Sequence, residues 1–467
     1  MSKAALMLLL PGFALAIWST DSVNVGHWYC RILNDGSWGN NRDGGFPAPG
    51  ACWPFPLRNH YVYGAGPWFG RIIGRDTLVS AAYDQNTTNS EFGPTLNRYW
   101  RQGRGVNADR IYDHPGDWPP PRSRFPMAPQ NWRADQDQWC CFGDSEPALH
   151  FPPPAEQRSV GVDVALTVCA FSDEPASDFF LLRYDVMNDG NDPLESLLVG
   201  MMVDADVGDP RDDMVGLILD KPFVVQGETV HVRNTGFGYD YDNTESDTTT
   251  WEAGTPGTVA VSLLAAPDGQ GFSAFKLLSL ESEPWSDAER YRVLAGCDFQ
   301  NGTYAPLDSI DTLPGDKHFV AAVGPLEIPA HGHAEFWYAV IGSPFGAPGE
   351  VGPKSDTNEL AVRYRVARDR YFWLVGVPEP VAQATSPFRV NSSLFSSAVP
   401  LRVQMPDGAS RLEACDVAGR IVRRFAGRVE IVWNGTDAAG RMLPAGAYFL
   451  RCPDRCNPAM KVILVEP

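Results

Sequence analysis

The sequence predicts an all-β protein: an antiparallel β-sandwich with a loop-rich N-terminal segment, one helix and a small C-terminal β-sandwich. Two observations carry the prediction. Short apolar segments recur at 160–171, 179–187, 197–203, 215–219, 229–233, 258–265, 272–280, 319–328 and 334–342, with Gly, Asp, Asn and Pro between them. Several alternate apolar and polar residues, as in Leu182-Arg183-Tyr184-Asp185-Val186, the period of a strand with one buried face. Many short strands separated by turn residues make a sandwich.

The elements follow in chain order. Lys3, the apolar run 4–10, the Pro11-Gly12 break and Ala14-Leu15-Ala16 read as a secretory signal peptide, residues 1–16, cut after Ala16. The run is too short for a membrane span, which needs about 20 apolar residues. Residues 17–158 are loop-rich, dominated by Gly, Pro and aromatics, and are expected to pack on the core. Short strand-like pieces are expected at 27–33, 61–63, 68–73 and 77–82, and the proline-rich stretch 112–158 is expected to wrap as irregular chain on a neighbouring core. Residues 159–376 hold the central sandwich. Within them 357–372 is the one expected helix, since Leu360, Tyr364, Ala367 and Tyr371 share a face and only Arg363 interrupts the stripe. Pro378-Glu379-Pro380 opens a linker at 377–385, and 386–467 is a small terminal module.

Composition narrows the function. A chain of 467 residues suggests two to four folded units. The formal net charge of −19 argues against nucleic acid and anionic membrane surfaces, both polyanions, and favours cations such as calcium. Acidity is also common in secreted proteins. All nine cysteines follow the expected cleavage site. In an oxidising compartment some should pair, with Cys30–Cys52 and Cys452–Cys456 as candidates, while Cys169 reads as a buried thiol.

The densest candidate site is acidic. Asp204, Asp206, Asp209, Asp212 and Asp213 crowd into ten residues around Gly208, and Asp240, Asp242 and Asn243 follow. Calcium takes six to eight oxygen ligands, mostly carboxylates and carbonyls, so a structural calcium site fits. The spacing is not that of an EF-hand. The competing reading is a solvated acidic turn, since Asp favours turns. A paired-acid glycosidase, a GxSxG nucleophile and an HExxH zinc site find little or no support. His331-Gly332-His333 reads as a turn. Trp28, Trp38, Trp53, Trp68, Trp100, Trp118, Trp132 and Trp139 crowd the first third. They read as packing anchors before they read as sugar-stacking residues.

The tail carries a resemblance. Cys415-Asp416-Val417-Ala418-Gly419-Arg420-Ile421-Val422, then Val432-Trp433-Asn434-Gly435-Thr436-Asp437-Ala438-Ala439-Gly440-Arg441, then Leu443-Pro444-Ala445-Gly446-Ala447-Tyr448-Phe449-Leu450, and finally Met460-Lys461-Val462-Ile463-Leu464-Val465 occur in order behind Ser386-Pro387-Phe388. This resembles the C-terminal Ig-like sorting domain of bacterial cell-surface proteins exported by type IX secretion, a relative of the Ig-like domain of the flagellar hook-capping protein. Asn434 stands where that pattern usually has Asp. In the body, the stretches 70–80, 203–209 and 324–332 resemble blocks of uncharacterised surface proteins that bear such tails. The resemblance implies export to the outer cell surface, with the secretion machinery as a partner, and supplies no activity. The expectation is a secreted or surface protein with a structural, adhesive or ligand-binding role and a glycan or surface ligand. The alternative is a secreted hydrolase of polysaccharide or peptide. No residue is named as catalytic.

Overall fold

The computed structural model describes residues 19–376, apart from 41–49, 85–89, 94–109, 151–158, 281 and 345–356, and residues 389–465, apart from 391–393, 398–399, 405–410, 416–420, 427–429 and 452–459. The expected signal peptide, the linker, Trp100, the Ser386-Pro387-Phe388 opening and the Cys452–Cys456 pair lie outside the described residues. Two compact units divide the chain, Met1–Gly376 and Val377–Pro467.

In the large unit, β1 (Thr20–Val23), β2 (Tyr29–Leu33), β3 (Ala51–Cys52) and β4 (His60–Val62) form a four-stranded sheet in that order. A hairpin of β5 (Gly64–Ile73) and β6 (Asp76–Ala81) follows, then β7 (Tyr112–His114), β8 (Gln136–Gly143), β9 (Asp163–Ala170), β10 (Phe179–Met187) and β11 (Leu194–Asp204). Next come β12 (Asp213–Val225), β13 (Glu228–Asp240), β14 (Thr258–Ala265), β15 (Ala274–Ser279), helix α1 (Asp287–Leu294), β16 (Lys317–Ile328), β17 (His333–Ser343) and helix α2 (Thr357–Leu374). An eight-stranded sheet runs β12-β13-β14-β17-β10-β9-β8-β7, and a five-stranded sheet runs β15-β16-β11-β5-β6. Every strand pair in this unit is antiparallel.

The two large sheets share one core. Phe180, Leu182, Tyr184 and Val186 of β10 point into it, as do Leu197, Val199, Met201 and Val203 of β11. Alternation along β10 sends Phe179 and Leu181 to the opposite face, where α2 covers them with Leu360, Ala361, Tyr364 and Ala367. β10 therefore begins with an unbroken apolar run, Phe179-Phe180-Leu181-Leu182, because both of its faces are buried there. Trp28, Trp38, Trp53, Trp68 and Trp139 are all buried, as packing anchors should be.

Residues 17–158 are loop-rich and also supply β1 to β8, including members of both large sheets. Two expectations need correction. A second helix exists, α1, started by a reciprocal capping box between Ser286 and Glu289. The expected Cys30–Cys52 pair does not form: both are buried thiols. The register sets Cys30 opposite Ala51 and Cys52 opposite Tyr29, so the two side chains alternate to opposite faces.

The small unit is a second sandwich. A three-stranded sheet, β18 (Arg389–Val390), β20 (Leu401–Gln404) and β23 (Glu430–Trp433), is ordered β18-β20-β23. A five-stranded sheet comprises β19 (Leu394–Phe395), β21 (Arg411–Cys415), β22 (Ile421–Ala426), β24 (Gly446–Arg451) and β25 (Met460–Leu464), ordered β19-β25-β24-β21-β22. Trp433 is the buried anchor, with Phe395, Phe425 and Tyr448 around its ring. Its indole N–H donates to the Thr436 carbonyl at 2.9 Å, which folds the Asn434-Gly435 turn back on the ring.

Helix α1 sits on the outer face of the five-stranded sheet because two strands carry glycine beneath it. A Cβ on Gly200 would lie 2.4 Å from Leu294 Cδ2, and one on Gly70 would lie 2.7 Å from Leu294 Cδ1. Gly200→Ala should destabilise the large unit by about 1–3 kcal/mol through overpacking. In urea unfolding, its combination with Leu294→Ala should cost less than the two single changes added. Strict additivity would show that the two positions are not in contact.

Candidate metal centre

The centre forms where the chain leaves one large sheet for the other. β11 ends at Asp204 in the five-stranded sheet, and β12 begins at Asp213 in the eight-stranded one. Asp206 lies in the crossing segment between them. The register places Asp204 opposite His318 and Asp213 opposite Asp240. Asp204, Asp213 and Asp240 are about 1% exposed, and Asp206 is 7% exposed.

One half of the centre has its own cation. His318 Nε2 lies 2.9 Å from an Asp204 oxygen and 3.0 Å from Asp316 Oδ1, and Nδ1 pairs with Glu283. Burial alone would lower the pKa of this imidazole. The three carboxylates outweigh it and hold the ring well above its ordinary value. His318 is thus an imidazolium with both ring nitrogens engaged, leaving no lone pair for a metal. The Tyr83 hydroxyl donates to Asp204 Oδ2 at 2.6 Å. His60, also buried, is pushed down to about 4 by desolvation, against the pull of Asp204, and stays neutral at physiological pH.

The other half has none. Oxygens of Asp212, Asp240 and Glu245 lie within 4.8 Å of one another. Glu245 reaches the crossing segment because Gly208 has no side chain: a Cβ there would lie 2.1 Å from the Glu245 carboxyl carbon. Gly208 also needs its φ of +78°, which glycine adopts freely. The Asp209 N–H donates to Glu245 Oε1 at 3.0 Å, and the Val207 N–H donates to Asp213 Oδ2 at 2.9 Å. Asp206 Oδ1, Asp213 Oδ1 and Asp240 Oδ2 are buried without a hydrogen-bond donor, and no ion pair among the described residues reaches Asp206, Asp213 or Asp240.

Burial pushes these acids up together. Asp206 and Asp213 are held well above the carboxylate range by desolvation first and by neighbouring carboxylates second. Asp240 is raised to about 6 by desolvation and then by Asp212, and Glu245 to about 8 by desolvation and then by Asp240. Such a group is stable only if it takes up protons or a cation.

Of the five residues expected from sequence, Asp206 and Asp213 stand in this unneutralised half, and Asp212 stands at its edge. Asp204 belongs to the His318 half. Asp209 is excluded: its carboxylate is spent on Arg211, with Nε at 2.8 Å, on the surface. Glu245, Asp316 and His318 were missed. The only sequence signal for them is charge on chain that sheet register later brings close. Among the described residues, two other polar clusters are already paired. Asp178 takes His27 at 2.9 Å and Arg363 at 2.8 Å, and His333 is a surface partner of Asp185.

No family model matches the chain, and no curated protein matches it. Among solved structures it is similar to one described as a polysaccharide lyase, at 8% identity and a TM-score of 0.25, over 96% of this chain. The chain spans 47% of that protein's length. A superposition that loose supports no inference about activity. No described helix is long and apolar enough to cross a membrane.

A pH dependence follows for the metal-free protein. Asp206, Asp213, Asp240 and Glu245 hold protons more tightly folded than unfolded. Their contribution is therefore present at low pH and is lost as pH rises from the ordinary carboxylate value near 4 through 6 and 8. The melting temperature in chelator should fall between about pH 5 and pH 8. Asp206→Asn with Asp213→Asn, which mimics the protonated forms, should flatten that fall. A flat profile in the unaltered protein would mean that these acids are not buried as described.

Proposed function

We propose that this is an exported cell-surface β-sandwich protein whose large unit is fastened by a bound divalent cation and whose role is adhesive or ligand-binding. The observation that carries the cation is the set of buried carboxyl oxygens on Asp206, Asp213 and Asp240 with no donor. They come from the crossing segment and from two neighbouring strands, and beside Asp240 lie oxygens of Asp212 and Glu245, the three within 4.8 Å of one another. All are hard oxygen donors, which fits calcium better than zinc. Backbone carbonyls and water would complete its shell. The same burial keeps these acids from flanking a substrate, which counts against a glycosidase at this place. The export half of the proposal is supported by the tail motif, which lies in a small β-sandwich built around Trp433.

Melting at pH 7.5 with millimolar calcium and then with excess chelator tests the cation. At calcium a hundred times its dissociation constant the fold should gain about 2.7 kcal/mol. Asp206→Asn, Asp213→Asn and Asp240→Asn should each remove most of that gain, and Asp209→Asn should leave it. An unchanged melting temperature in the parent protein would reject the cation. For export, a chain ending before Ser386, expressed in a bacterium with type IX secretion, should stay in the periplasm while the full chain reaches the surface. Surface display of the shortened chain would reject the sorting role.

A further inference from the structure

The outer face of the eight-stranded sheet is covered in two places and open between them. Helix α2 covers one stretch. Tyr112, Phe125 and Ala128 cover another, over Trp139, Cys141 and Ala165. Between the covers lies a groove of about 400 Å³, walled by Trp118 and by Leu374 at the end of α2. Its floor is a row across adjacent strands, Thr167 of β9 opposite Arg183 of β10 and Arg183 opposite Trp337 of β17, with Asp137 and Glu335 beside it.

The charges on this floor are already spent. Arg183 Nη2 lies 2.7 Å from Asp185 and 2.6 Å from Glu335. The Asp137 carboxylate accepts from the backbone N–H groups of Arg133 and Ala134 at 2.6 and 2.9 Å and from the Cys169 thiol at 3.1 Å. An anion entering here would meet fixed carboxylates, and a cation would find the nearest acids taken. Two donors, however, are left over: Arg183 Nε and the Trp118 indole N–H are buried without an acceptor. The groove therefore offers unused donors and indole surface, and no net charge to bind.

We propose that this groove binds a neutral saccharide, whose hydroxyl and ring oxygens accept from Arg183 and Trp118 while a C–H face of the ring lies on apolar wall. Such pockets are mostly apolar with a few convergent polar groups, and their volumes begin at about 300 Å³. The site is on the opposite face of the sheet from the shared core and does not depend on the cation.

The test is titration of the full-length secreted protein, with calcium present in every arm, against cellohexaose, xylohexaose, mannohexaose and laminarihexaose. Calorimetry and tryptophan fluorescence are the readouts. Saturable binding of at least one probe is expected. Trp118→Ala should weaken it at least tenfold, and Thr167→Tyr, which fills the groove from a strand position that tolerates aromatics, should abolish it without lowering the melting temperature. Absence of saturable binding to all four probes would overturn the proposal. So would affinity unchanged in both folded variants, or tighter binding of an oligogalacturonate than of every neutral probe.

Discussion

A buried carboxylate must be neutralised, and the large unit obeys this constraint wherever it buries acid. Asp84, Glu91 and Asp287 surround Arg290, with Glu91 at 3.3 Å. Asp178 takes His27 and Arg363, Asp308 takes Lys276, and the Asp204 group takes His318. Asp137 and Asp144 are instead satisfied by hydrogen-bond donors. Among the described residues, the group of Asp206, Asp213 and Asp240 stands apart because each keeps one buried oxygen without a donor and no ion pair reaches any of the three. It also stands where the chain passes from one sheet to the other, so the crossing and the loop bearing Glu245 are anchored on whatever resolves that charge.

This placement explains why the site is divided. The His318 side is locked by its own imidazolium and needs nothing from solution. The Asp213 side is adjacent, since Asp206 feels both Asp204 and Asp316. It shares the same low-dielectric surroundings, and His318 offsets only part of the charge that Asp204 and Asp316 set against Asp206. A divalent ion there would convert a repulsive cluster into a clamp between a strand end, a strand start and a distant loop. Protons can do the same only at acidic pH. On the proposed reading, bound calcium would hold the fold firm and its removal at neutral pH would loosen it.

The sandwich was legible because alternation survives in strands such as β10, where one face is always buried. In the N-terminal third, β2, β4, β5 and β6 were legible as short apolar pieces, while β1, β3, β7 and β8 were not, since Gly and Pro around them mask the pattern and the sheets accept short pieces. Helix α1 carried a readable capping box at Ser286 and Glu289. Its buried Asp287 and Arg290 spoiled the apolar stripe that marks a helix. The acidic site was half legible. Crowding within ten residues exposed Asp206, Asp212 and Asp213, and Asp240 stood in the second acidic run. Glu245 and Asp316 reach the centre only through strand register and the room left by Gly208. Asp209 looked equivalent until Arg211, two residues on, claimed it.

The most direct test of the account is proton release on metal addition. Calcium is titrated into the chelator-stripped protein near pH 6.5 by calorimetry in buffers of differing ionisation enthalpy. Binding should displace protons from Asp206, Asp213, Asp240 and Glu245, so the apparent heat should vary with buffer and the released protons should diminish as pH rises. Binding without proton release, or no binding, would contradict the claim that one cation resolves the charge buried at the crossing.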